Sequence, residues 1–160
     1  MCIRDSNTHA SLSARGFEVR IVEDLNEAVS RADIVASATS SEAPLILGEY
    51  VKPGTHIDLL GGYRPDMQEA DSDTLANARI FVDDRSTAMV SGDIQIPLQA
   101  SIITKDQIEG DLYDLCKDTN FFRGPEDITV YKNAGGAHID LIVAQYVLRK
   151  SRGSSNIKGE

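Results

Sequence analysis

The stretch "THIDLLGG" at residues 55–62, running on as "YRPDMQEAD" to residue 71, decides how this chain folds. It is a short apolar run that stops on two glycines, an aromatic, an Arg-Pro pair and several acids. Two comparable runs flank it: "DIVASAT" (33–39), ending in small hydroxyl residues, and "ARIFVDD" (78–84). Short continuous apolar runs separated by helical or loop segments mark the strands of a parallel sheet covered on both faces. "VKPGT" (51–55) supplies the turn before the central run, and "DSDTLANA" (71–78) is a short helix before the third.

Working outward, "FEVRIV" (17–22) alternates and is β-rich, and "DLNEAVSRA" (24–32) is a helix with Asp24 as its cap and Leu25, Ala28 and Val29 at helical spacing. On the other side "RSTAMVSGD" (85–93) reads as a helix stopped by Gly92, and "TKDQIEGDLYDLCKD" (104–118) as a helix with one interrupting glycine. "DITVYKN" (127–133) is a strand. "AGGAHIDLIVAQYVLRK" (134–150) sets Ile139, Ile142, Val143, Tyr146 and Val147 on one face of an amphipathic helix. No repeat or linker interrupts residues 16–150. Residues 1–10 are expected to be an artefactual or disordered N-terminus, since "MCIRDS" resembles a translated adapter scar. Residues 151–160, polar and rich in Gly and Ser, are expected to be a disordered tail.

With 160 residues, 41% of them hydrophobic, the composition is that of one globular domain. A net charge of −9 without a dense basic patch argues against nucleic acid and anionic membrane as partners. The longest apolar runs fall far short of the ~20 residues of a spanning helix, which points to a cytoplasmic protein. Cys2 and Cys116 form no CxxC pair and are expected to be reduced, Cys116 packed in the core beside Leu112 and Leu115. No His and carboxylate spacing suggests a metal.

In an open parallel sheet, ligands sit beyond the carboxyl ends of the strands. Three strand ends here carry small or polar residues: Ala38-Thr39-Ser40, Gly61-Gly62-Tyr63 and Asn133-Ala134-Gly135. Glycine at such a point leaves room for a ligand to approach the backbone, although each one singly reads as a tight turn. Arg64 faces either substrate or phosphate or solvent, Asp66 a solvated loop pair. His56 reads as a packed strand residue, His138 as structural, and His9 lies in the doubtful N-terminal segment. Asp71, Asp73, Asp83 and Asp84 read as helix caps and strand-end surface charges. The GxGxxG turn that opens a dinucleotide-binding domain is missing.

The ordered set "ADIVASAT", "PLILGEYVKPGTHIDLLGGYRPDMQEAD", "ARIFVDD" and "YKNAGGAHIDLIVAQYV" resembles the second half of ornithine cyclodeaminase/mu-crystallin family proteins over about residues 16–150. The resemblance implies an α/β fold, a truncated Rossmann-type parallel sheet with flanking helices that lacks the first strand and the GxGxxG turn. It also implies a homodimer in the full-length parent. Residues 11–133 would be a partial NAD(P)-binding domain, and residues 134–150 a helix returning toward the substrate and dimerisation domain. By position, Thr39, Leu60, Gly61, Gly62 and Asn133 would border the cofactor, NADH or NADPH, and Tyr63 and Ala134 the substrate. Asn133 departs from the family's usual Ser.

The informative departure is Tyr63. Cyclodeaminases carry there an Asp that handles protons, and a phenol with a pKa near 10 does not replace a carboxylate base at neutral pH. "GGYRPDM" is instead similar to family members that look like reductases of cyclic imino acids, forming L-proline from delta-1-pyrroline-2-carboxylate or L-pipecolate from delta-1-piperideine-2-carboxylate. The alternatives are an ornithine cyclodeaminase or amino-acid dehydrogenase, and a mu-crystallin-like protein that holds NADP(H) with little turnover. No catalytic acid is assigned. Alone, the chain is expected to be inactive and to expose a sheet edge and apolar surface.

Overall fold

The computed structural model describes residues 3–117 and 121–155. Five strands form one sheet: β1 (Ile34–Ser37), β2 (His56–Leu59), β3 (Arg79–Val82), β4 (Ile108–Asp111) and β5 (Thr129–Lys132). Every pairing is parallel, in the order β1-β2-β5-β3-β4. The helices are α1 (Ile3–Ser13), α2 (Leu25–Arg31), α3 (Ser72–Ala76), α4 (Arg85–Ala88), α5 (Gly92–Gln99), α6 (Leu112–Lys117) and α7 (Ala137–Ser155). Because β5 inserts between β2 and β3, the chain's last strand end lies beside the Gly-Gly turn.

The core lies on one face of the sheet. Ile57 and Leu59 of β2, Ile80 and Val82 of β3 and Val130 of β5 are fully buried against Ala70, Leu75, Ala88 and Ile94. Burying each large side chain contributes ~1.5–3 kcal/mol over leaving it in water. The other face carries His56, Asp58, Arg79, Phe81 and Tyr131, only half-buried, so β2 and β3 alternate rather than being covered equally on both sides. Caps fix where the helices begin: Asp24, Asp71 and Asp84 each accept backbone N–H groups at the starts of α2, α3 and α4, as the sequence suggested for all three.

Several expectations need correction. Residues 17–22 are not a strand. β1 pairs only with β2, so this segment has no neighbour to take its backbone bonds, and Phe17 and Val22 are exposed. Gly92 does not stop a helix but opens α5. A Cβ there would overlap the Met67 carbonyl, so only glycine lets the helix start against that backbone, and its N–H donates to Arg64 O at 2.9 Å. Pro97 inside α5 hid the helix from a pattern reading.

The glycine-interrupted helix expected at 104–118 is instead a short 3-10 turn, then β4, then α6. Ile108 and Gly110 alternate inward, while Glu109 turns out to pair with Arg79. Cys116 is exposed rather than core, because α6 buries none of its residues. Residues 3–10, expected to be artefactual or disordered, are helical in α1, and the helix of the C-terminal segment runs on to Ser155. Cys2 and residues 156–160 lie outside the described residues. Among the described residues no helix is long and apolar enough to cross a membrane, and no cluster of His, Cys, Asp or Glu could hold a metal ion.

Candidate functional site

Register brings the strand ends into one row. Ser37, Leu59, Lys132 and Val82 are aligned across β1, β2, β5 and β3. The next residues continue the ladder: Leu60 N–H donates to Ser37 O at 2.8 Å, Asn133 N–H to Leu59 O at 2.9 Å and Asp83 N–H to Lys132 O at 3.0 Å. Thr39, Leu60–Tyr63, Asn133–Gly135 and Asp83 therefore meet at one carboxyl-terminal edge, the place where an open parallel sheet takes its ligand. The three strand-end segments picked out from sequence share this edge, whereas His56 lies at the other end of β2.

Beneath the Gly-Gly turn lies a buried polar clasp. Glu69 Oε1 accepts from Ser37 Oγ at 2.6 Å, Thr39 N at 2.5 Å and Thr39 Oγ1 at 2.9 Å, and its Oε2 accepts from Gly61 N at 2.6 Å. Asp93 Oδ1 accepts from the backbone N of Glu69 at 2.7 Å and of Ala70 at 3.2 Å. Asp93 Oδ2 lies 3.0 Å from Lys132 Nζ as an ion pair without an aligned hydrogen bond, while Lys132 Nζ donates to the Gly61 carbonyl. Ser91 Oγ donates to Gly62 O at 2.6 Å. Glu69, Asp93, Lys132 and Ser91 have no accessible surface.

Burial pushes the Asp93 carboxyl above the usual carboxylate range, against the pull of Lys132. At Glu69 burial pushes the same way, yet the donors from Ser37, Thr39 and Gly61 together outweigh it and leave the group below its ordinary value.

The clasp explains the two glycines. A Cβ on Gly61 would overlap the Thr39 carbonyl, and one on Gly62 would come within 2.5 Å of Asp93 Oδ2, where φ is also +59°. The room expected for a ligand on the Cβ side of both glycines is taken up by the protein's own carboxylates, so any ligand meets the turn from its other side.

Tyr63 projects from this turn with 59% of its surface exposed. Arg64 is engaged bidentately by Asp66, at 2.8 and 2.6 Å, and reaches Glu42 at 3.2 Å, which makes it a solvated loop pair rather than a free anion contact. The bond to Asp66 raises the Arg64 pKa, and the same bond holds Asp66 below the carboxylate range. Asn133 Oδ1 accepts the Gly135 N–H at 2.9 Å, so that oxygen serves the turn. Asp83, expected as a surface charge or cap, is fully buried. Its Oδ2 accepts the Gly135 and Gly136 N–H groups at 3.1 and 3.3 Å, pinning the loop before α7 because those donors have no strand partner there. His138 stacks on Tyr113, and His56 bonds Thr129 Oγ1 at 2.8 Å with its pKa lowered chiefly by burial.

A cavity of about 330 Å³, lined by His56, Arg79, Phe81, Phe121, Thr129 and Tyr131 among others, lies at the opposite, amino-terminal end of the strands. Arg79 there is already paired with Glu109 and Asp127.

Sequence reasoning missed Glu69, Asp93, Lys132 and Ser91. One signal was available: period-2 alternation puts Lys132 on the same face as Val130, so a lysine pointed into the core.

A parallel sheet with core helices and a row of small and polar residues at its strand ends is a partial Rossmann-type α/β domain. The profile of the ornithine cyclodeaminase/mu-crystallin family matches residues 2–155, and the chain belongs to that family. It is 46% identical over 138 residues to a delta(1)-pyrroline-2-carboxylate reductase of Paracoccus denitrificans, covering 85% of this chain and 44% of that protein. It superposes with a TM-score of 0.87 and 28% identity on a Thermococcus litoralis delta(1)-pyrroline-2-carboxylate reductase solved with NADH and L-proline, covering 94% of this chain and 47% of that one. An iminosuccinate reductase of Paracoccus denitrificans with NAD+ matches at 32% identity and a TM-score of 0.84, over 97% of this chain and 47% of its own. The chain thus spans less than half the length of these relatives.

Proposed function

We propose that this chain forms part of an NAD(P)H-dependent reductase of a cyclic imino acid, converting delta-1-pyrroline-2-carboxylate or delta-1-piperideine-2-carboxylate to L-proline or L-pipecolate. The observation that carries the reading is Tyr63, an exposed phenol at the end of the clasped Gly-Gly turn where a proton-handling cyclodeaminase needs a carboxylate. The names of the most similar relatives support it.

The residues present fit the nicotinamide end of such a cofactor. The row from Thr39 through Leu60–Gly62 to Asn133 is small, polar and rich in backbone groups, and its protein side is held rigid by buried carboxylates. The cofactor would supply a hydride to an already formed C=N bond. Thr39, Leu60, Gly61, Gly62 and Asn133 would border it, while Tyr63 and Ala134 would pack the substrate ring. This arrangement contributes positioning and exclusion of water rather than a strong base. The 160 residues contain no GxGxxG turn to cradle the pyrophosphate. The proposal includes a cytoplasmic location and a homodimer, whose second subunit would cover the exposed apolar residues of α7, among them Leu141, Ile142, Val143, Tyr146 and Val147.

The test is cofactor oxidation by the protein expressed from its native reading frame, with each cyclic imine, with iminosuccinate, and in reverse with ornithine and NAD+. Turnover of a cyclic imine and none of ornithine is expected. Ammonia release from ornithine, or tight cofactor binding without reduction of any imine, would refute the proposal.

A further inference from the structure

The β1 and β2 ladder stops one rung early. Parallel pairing repeats every two residues, and His56 N–H donates to Asp33 O while Leu60 N–H donates to Ser37 O. The next rung of that repeat runs from Thr39 N–H to the Leu60 carbonyl. It is not made, because Thr39 N–H donates to Glu69 Oε1 instead, at 2.5 Å. The same carboxylate holds Gly61 N–H from the other strand end, so it stands between the two chains like a wedge. The Leu60 carbonyl then accepts no hydrogen bond among the described residues, and Leu60 as a whole is 46% exposed at the strand end. The rest of the turn is committed: Lys132 takes the Gly61 carbonyl and Ser91 the Gly62 carbonyl.

We infer that Glu69 is a positioning residue, a buried carboxylate that holds the ends of β1 and β2 apart and so leaves the Leu60 carbonyl as a free acceptor for the carboxamide N–H of the nicotinamide. This rests on the cofactor reading above. Glu69 itself touches no ligand. Asp93 holds the backbone on which Glu69 stands, and Lys132 ties Asp93 to the same turn. A primary amide suits this carbonyl, because it supplies an N–H donor in place of the Thr39 N–H that Glu69 takes.

The experiment compares wild type, Glu69→Ala and Glu69→Gln, each expressed from the native reading frame. Through-hydrogen-bond NMR coupling between the Thr39 amide nitrogen and the Leu60 carbonyl carbon reads the wedge without any cofactor. It is expected to be absent in wild type and present in Glu69→Ala, where the rung closes. Affinities for NADH and for its 3-acetylpyridine analogue, which has a methyl group in place of the amide NH2, read the ligand side. Wild type should prefer NADH by about tenfold, the worth of one hydrogen bond, and Glu69→Ala should bind the two alike.

Glu69→Gln keeps an oxygen for Ser37 and Thr39, so it should keep the ladder open and retain most of the preference. That guards against misfolding of the alanine variant. A Thr39 to Leu60 coupling in wild type, or an unchanged NADH preference in Glu69→Ala, overturns the inference. Wild type that binds neither dinucleotide refutes the cofactor reading and with it the role at Leu60, whereas the coupling separately shows whether the wedge exists.

Discussion

Lys132→Met is the sharpest perturbation of this fold. The lysine has no accessible surface, its Nζ lies 3.0 Å from Asp93 Oδ2, and it donates to the Gly61 carbonyl. Removing one partner of a buried ion pair leaves the other charge uncompensated and costs about 3–5 kcal/mol. In a domain of this size each kcal/mol moves the midpoint by ~2–4 °C, so the variant should melt roughly 6–20 °C lower.

Two features decide whether that mechanism is the right one. Asp93 already has a raised pKa, chiefly from burial, and without Lys132 it will rise further. An acid whose folded pKa lies above its unfolded value loses stability as pH climbs from the unfolded value through the folded one. The deficit of Lys132→Met should therefore shrink toward acid pH. Adding Asp93→Asn removes the orphaned charge while an amide oxygen still accepts from Glu69 and Ala70, so the double variant should recover about half or more of the loss. Urea unfolding followed by circular dichroism across pH measures all of this. A loss below 1 kcal/mol, or a double variant no better than the single one, would show that the pair is not the strut described here.

Other outcomes follow from the same geometry. Glu69 has a lowered pKa, so the stability it supplies is present above the ordinary glutamate range and lost as pH falls through its depressed value; Glu69→Gln should flatten that acid limb of a stability profile. Gly62→Ala must adopt φ +59°, at ~1–2 kcal/mol, and crowd Asp93 Oδ2, so urea unfolding should show a loss well above that backbone cost alone. Asp83→Ala frees the Gly136 N–H while Gly135 keeps its bond to Asn133 Oδ1, so amide exchange should quicken more than tenfold at Gly136, less at Gly135, and not at all in β1. Tyr63→Phe should leave cyclic-imine reduction within a few-fold of wild type if the ring acts by packing, and a loss of three orders of magnitude would make the hydroxyl a proton donor.

Much of the sheet was legible because its strands announce themselves locally. Residues 33–39, 55–62, 78–84 and 127–133 are short apolar runs closed by turns, and each contains a strand. What was not legible depended on neighbours. Residues 17–22 have a strand's alternation but no strand beside them, so propensity alone did not make one. β4 is the reverse case, since "IEGD" has little β propensity and becomes a strand because β3 offers it a ladder and Arg79 offers Glu109 a partner. Pro97 masked α5, whose first turn is fixed by the fit of Gly92 against Met67 and not by any helical pattern.

The site divides in the same way. The strand-end row was readable, because small and polar residues that close apolar runs are visible in the sequence. Its protein side was not, because Glu69, Asp93 and Lys132 lie 24 to 63 positions apart and look like ordinary surface charges until topology stacks β5 beside β2. Burying three ionisable groups under one turn is costly in isolation, and here Glu69 and Lys132 each hold a backbone group of Gly61 while Asp93 accepts from the Glu69 and Ala70 N–H groups. A flexible Gly-Gly segment left to itself would sample many conformations. Fixed at its Gly61 N–H, Gly61 carbonyl and Gly62 carbonyl, it presents one edge at the strand ends, which is what the proposed hydride transfer would require of it.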